Sequence, residues 1–241
     1  MATASDILAY LPNTYKTPDE QAYIYFLWES YESNYKHGKY PFAFIAYHML
    51  YMCFVYFEVW QIKENRRADF EKAMVGLSKD FETKLMSATT PFAFVDLGES
   101  NFLRFLKLIG CDNSKIGNYT GSVKSRNDAA HSNGRIFFND PNLLNRKIEE
   151  VLRHVDEIQT HSHPVINECL ITFLKESHDP DTRQYIDEVD QIKEVLIHGN
   201  YLSQKDIEHL LTFDITQLSS DPNYDAMKQL FDTFQAGHAV T

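Results

Sequence analysis

YPFAFIAYHMLYMCFVYFEVWQIKEN, residues 40–65, is the stretch on which the fold turns. Large apolar side chains recur through every turn of it: Phe42, Phe44, Ile45, Met49, Met52, Phe54, Val55, Phe57, Val59 and Trp60. Its length approaches the roughly 20 apolar residues of a membrane span. His48 and Glu58 interrupt it, however, and its four tyrosines carry hydroxyls that hydrocarbon would leave unsatisfied. The expectation is therefore no membrane span but a central core helix of an aromatic-rich bundle, buried on most of its circumference.

Working outward, the chain reads as all-α. Thr17-Pro18-Asp19-Glu20 offers a cap hydroxyl, a proline at the first helical position and a carboxylate at the third, so a helix is expected from there to Lys36, with His37-Gly38 as its stop. Helices are expected at about 67 to 86 and 98 to 109, then a loop marked by Gly110, Gly117 and Gly121. A short helix over about 120 to 133 follows, capped by Asn133-Gly134. Asp140-Pro141 opens an amphipathic helix to about Thr160, and Pro164 starts another that ends near His178. The polar stretch SHDPDTR, 177 to 183, divides a helical domain, 1–178, from a small helical C-terminal appendage, 181–241. In the appendage His198-Gly199-Asn200 reads as a left-handed glycine stop, Ser203 to Asp206 as a capping box for a helix through Phe213, and Asp221-Pro222 as the start of a last helix.

Composition narrows the function. Cys53, Cys111 and Cys169 form no CxxC pair, which suggests neither a disulfide framework nor a thiolate zinc site and suits a reducing cytoplasm. The N-terminus shows no basic region followed by an apolar run, so no secretory signal is expected. A net charge of −11 argues against coating nucleic acid through bulk electrostatics. Residues 101–153 nevertheless carry nine Lys/Arg against five Asp/Glu, which leaves the rest of the chain at −15. An anionic substrate is expected near that middle segment. Phosphate-loop, dinucleotide, hydrolase-elbow and zincin motifs are absent. His154, His161, His163 and His178 lack the partners a metal site needs, and KENRR, 63 to 67, reads as a solvated helix end.

The segment SVKSRNDAAHSNG, 122 to 134, carries the chemistry: Arg126, Asn127 next to it, and His131 after four intervening residues. Small Ala129 and Ala130 precede the histidine. On a helix Asn127 and His131 share a face, while Arg126 is rotated away but long enough to swing back. Imidazole can take or give a proton near neutral pH, and a guanidinium can hold a phosphate and stabilise its transition state. The bland alternative is that Arg126 and His131 cap carbonyls or pair with Asp128 or Asp140.

This segment, with the antiparallel helices before it, resembles the signature of the HEPN superfamily, over about residues 17 to 178. The resemblance implies a HEPN-like helical bundle and metal-independent endoribonuclease activity, in which the ribose 2′-hydroxyl attacks the adjacent phosphate and leaves a 2′,3′-cyclic end. It implies Arg126, His131 and Asn127 as catalytic residues, no cofactor, no metal, RNA as substrate and a homodimer with a composite active site. A toxin or antiviral defence effector, with an antitoxin or regulatory partner, is the role it suggests. A non-catalytic HEPN-like module binding nucleotide, RNA or a protein is the alternative.

Overall fold

Gly38, at φ +69°, turns the chain between two helices whose tight connection lays them side by side. The first, α1 (Pro18–Lys36), starts on the expected capping box: Thr17 Oγ1 accepts from Glu20 N at 3.2 Å, and Glu20 Oε2 accepts from Thr17 N at 3.3 Å. The second, α2 (Tyr40–Asn65), is the aromatic-rich segment. These come from a computed structural model that describes residues 3–131, 134 and 136–238. No strand forms among the described residues, and a lone bridge joins Pro12 to Ser203, so the fold is all-α.

From Leu50 to Lys63 every side chain of α2 is buried. Such a helix is apolar all round because neighbours cover it on all sides. By length and composition it could cross a membrane, but 83% of its most apolar window is buried within the fold, as in a core helix. α1, the helix Asn113–Ala130 (α6) and the helix Pro141–Ser177 (α7) pack against it, as does the 3-10 turn Pro91–Leu97. Aromatic pairs tie this core together, including Phe57 with Tyr201 at 5.1 Å and Tyr56 with Phe102 at 5.0 Å.

The expected helix over 67 to 86 is two helices, α3 (Arg67–Ala73) and α4 (Lys79–Ser87), parted at Gly76, whose φ of +98° no helix admits. The expected helix over 98 to 109 is a short α5 (Glu99–Phe102) continued as 3-10 to Ile109. KENRR is not solvated throughout: Lys63 is buried, donates to Ala88 O at 2.8 Å and lies 4.3 Å from the Trp60 ring, and Arg66 grips Glu168 through two bonds. Pro164 does not start a helix but sits inside the 37-residue α7. A proline there costs one backbone bond, about 3 kcal/mol. Pro164 lies on the exposed face, and the buried stripe continues through Ile158, Val165, Ile166 and Cys169 on either side, so packing offsets the loss.

The C-terminal half of α7 carries Ile166, Leu170 and Phe173 into a second apolar cluster with Leu196, Leu210, Phe231 and Phe234. The elements there are α8 (Glu188–Gln191), a π-helical turn Ile192–His198, α9 (Gln204–Leu210) and α10 (Tyr224–His238). Ser203 caps α9 as expected, though that helix stops at Leu210. Gly199 is right-handed, with φ −58°, and it is Tyr201 that takes the positive φ, 53°. Where the two apolar clusters meet, buried Asp206 accepts from Gln159 Nε2 at 2.5 Å and from Ser203 Oγ and N at 2.9 Å, and Ser162 Oγ donates to buried Glu58. Burial raises both carboxyls above their ordinary values, Glu58 most strongly, with Asp206 adding to it.

Candidate functional site

The motif helix begins earlier than its glycines suggest. Asp112 caps α6 by accepting from Lys115 N at 2.9 Å, and the helix runs through Gly117 and Gly121 to Ala130. Its inward stripe is Ile116, Tyr119 and Val123, spaced three and four apart. Arg126 is the next residue on that stripe, so its side chain points toward the body of the protein rather than away from it.

There Arg126 Nη2 meets Glu99 Oε2 at 2.5 Å, the two side chains being 29% and 20% exposed. The same oxygen accepts from Nε2 of His48, which is fully buried, at 3.0 Å. Burial pushes the Glu99 carboxyl up, but the hydrogen bonds and charges of His48 and Arg126 outweigh it and hold the carboxyl below its ordinary range. The ion-pair partner shown for Arg126 is Glu99, a carboxylate on another element. Arg126 is thus a half-buried cation held from behind, at the wall of the core.

His131 lies one residue past the helix. Its backbone is extended, with φ −83° and ψ 143°, while its N–H still donates to Asn127 O at 3.0 Å. The imidazole is exposed, and among the described residues it has no hydrogen-bond partner. Asn127 is half-buried in the last turn. The expected sharing of one helical face by Asn127 and His131 is therefore replaced by a cap geometry, because the helix stops at Ala130 and not near Asn133. Gly134 does take a left-handed φ, +73°, while Asn133 lies outside the described residues. Farther along the loop, Phe138 at φ 51° packs its ring 4.6 Å from Phe44, one turn before His48. Both arms of the motif are thereby tied to the first half of α2.

The expected cationic character of the middle segment survives in the fold. Arg104, Lys107, Lys124, Arg146 and Arg153 are exposed and have no carboxylate in ion-pair range among the described residues. Lys115 is instead spent on Glu157 and His161, and Lys147 on Glu150. Two site residues, Glu99 and His48, escaped sequence reasoning. His48 did leave a signal, a polar group interrupting a core helix, which must find a partner once buried.

Compared with protein-family models, curated proteins and solved structures, the chain finds no match. The other histidines have local partners: His161 Nδ1 donates to Ile109 O at 3.1 Å, His154 packs on Tyr119, and His163 stacks on His209 at 3.6 Å between ring centres.

Proposed function

We propose that this chain is a metal-independent endoribonuclease of HEPN type, acting in the cytoplasm as a homodimer, whose reactive groups are Arg126, Asn127 and His131. One observation carries the reading: the end of α6 carries both a fixed, half-buried guanidinium and, one residue past the helix, an exposed imidazole with no hydrogen-bond partner among the described residues, in the segment where cations without ion-pair partners among those residues concentrate. A guanidinium has five N–H donors, so one carboxylate need not exhaust it. Arg126 would hold the scissile phosphate and stabilise the charge that builds on it, and His131 would move the proton of the 2′-hydroxyl or of the leaving oxygen. Asn127 would orient one of them. Defence against a virus, or action as a toxin restrained by a partner, fits such an enzyme by analogy.

The test is cleavage of RNA by the purified chain in EDTA. Expected are fragments ending in a cyclic phosphate, and a loss of about 100- to 1,000-fold for His131→Ala and for Arg126→Ala, with a smaller loss for Asn127→Ala. Cleavage that persists without His131, or that needs a divalent ion, overturns it.

A second reading, a non-catalytic module that binds nucleotide, RNA or protein, is favoured by the Glu99 ion pair, which already neutralises Arg126. RNA binding without cleavage, unchanged by His131→Ala, would select it.

A further inference from the structure

A cleft of about 510 Å³ opens between α1, α2 and the turn Pro91–Leu97. Ligand sites for small organic molecules span about 300–1,000 Å³, so its size is ordinary for one. Its walls are apolar and adaptable: Tyr23, Met49, Met52, Tyr56, Phe92 and Val95. Methionine reshapes around a guest, and aromatic faces attract cations. The floor thiol, Cys53, is pushed up by burial and is a packing group rather than a nucleophile.

Charge at the cleft has one sign. Asp19, Glu20 and Glu99 line it, and among the described residues no Lys, Arg or His does. Glu20 is occupied, accepting from Thr90 Oγ1 at 2.5 Å, from the Tyr201 hydroxyl at 3.0 Å and from two backbone N–H groups. Asp19 is exposed and unpaired among the described residues. Glu99 directs Oε2 at His48 and Arg126, while its other oxygen, Oε1, takes no hydrogen bond among the described residues. An apolar cleft with open carboxylate capacity at its wall repels anions and holds a cationic donor more strongly than a neutral one.

We propose that this cleft binds a small amphipathic amine, its apolar body against Met49, Met52 and Tyr56 and its ammonium at Glu99. A partly desolvated carboxylate gives a charged donor more than a surface one does. Because Oε2 of that carboxylate holds Arg126, a bound ammonium competes with the guanidinium for Glu99. Only the consequence of that competition for RNA cleavage rests on the ribonuclease reading.

Phenethylamine is the probe, with 2-phenylethanol as neutral isostere and 3-phenylpropanoate as anion, each titrated by NMR into the full chain without RNA. The amine is expected to bind about tenfold more tightly than the alcohol, the worth of one charged hydrogen bond, and the acid not at all. Glu99→Gln should bring the amine down to the alcohol's affinity. Arg126→Ala should tighten the amine several-fold by removing its competitor. Val95→Trp, on the exposed rim and so dispensable for folding, should block both the amine and the alcohol while circular dichroism stays helical. Equal affinity for amine and alcohol, or amine binding untouched by Val95→Trp, overturns the proposal. Neither result bears on whether RNA is cut, so the two readings fail separately.

Discussion

Glu99 lends one oxygen to both His48 and Arg126, so substituting it separates two roles for the ion pair. If Glu99 only occupies Arg126, its loss frees the guanidinium and raises activity. If it fixes the guanidinium in place, turnover falls. The backing of Glu99 by a buried imidazole argues for fixation, since a group held from behind cannot follow a mobile arginine. Glu99→Gln is therefore expected to lower RNA turnover about tenfold while leaving RNA affinity unchanged or tighter, because a negative charge beside the phosphate is gone. Separate measurement of kcat and KM checks this, and a rise in kcat would show Glu99 to be an inhibitor. A second residue pair sets a pH dependence. Burial, and then the charge of neighbouring His163, lower His209 to about 4, and burial lowers His163 as well. Depressed histidines bind fewer protons folded than unfolded, so their contribution is whole above about 6.5 and is lost as pH falls toward 4. Glu58 and Asp206, raised by burial, act in the opposite sense. The readable quantity is hence a difference: between pH 7 and 4, His209→Gln should lose less thermal stability than the wild type. Parallel Tm curves would remove His209 from the account.

At the scale of elements, glycines give opposite expectations. Gly117 and Gly121 sit inside α6, and a Cβ added at either meets nothing within 4 Å. Alanine at each should stabilise by about 0.5–1 kcal/mol, through the lower backbone entropy of the unfolded chain. Gly199 closes the π-helical turn, and a Cβ there would stand 2.4 Å from Val195 O. Gly199→Ala should destabilise by about 1–3 kcal/mol, the usual range for overpacking. Urea denaturation of the three variants gives the signs directly. These positions also show what was legible in the sequence. Helix starts at Thr17, Asp140 and Ser203 could be read because a cap is local, made by residues within one turn. Helix continuity could not: Gly117, Gly121 and Pro164 are breakers by propensity, yet tertiary packing carries α6 and α7 through them. The candidate site divides the same way. Arg126, Asn127 and His131 are near neighbours in sequence, whereas His48 reaches Glu99 from 51 residues away, a pairing that only packing can create.

Across the whole molecule a net charge of −11 meets a segment whose five exposed cations have no carboxylate in ion-pair range among the described residues, so the acidic surface elsewhere should confine RNA to that segment. Binding should then weaken with salt, with a slope of about −0.7 per phosphate contact on single strands, and Arg104→Ala or Lys124→Ala should make it shallower. The same economy bears on assembly. Each chain supplies one Arg126 and one His131, and they leave the end of α6 in different directions, the guanidinium inward to Glu99 and the imidazole outward to solvent. A phosphate held by one Arg126 would be served more readily by a histidine approaching from outside than by the one that points away from it. The expected result is complementation: Arg126→Ala and His131→Ala proteins, each inactive alone, should regain cleavage when mixed and allowed to exchange, because a mixed dimer keeps one good cleft. Sedimentation of the wild type should show a dimer at micromolar concentration, with activity falling on dilution as the dimer dissociates. A monomer that cuts RNA at full rate, or a mixed sample that stays silent although exchange is verified by labelled subunits, would place both groups of each site within one chain.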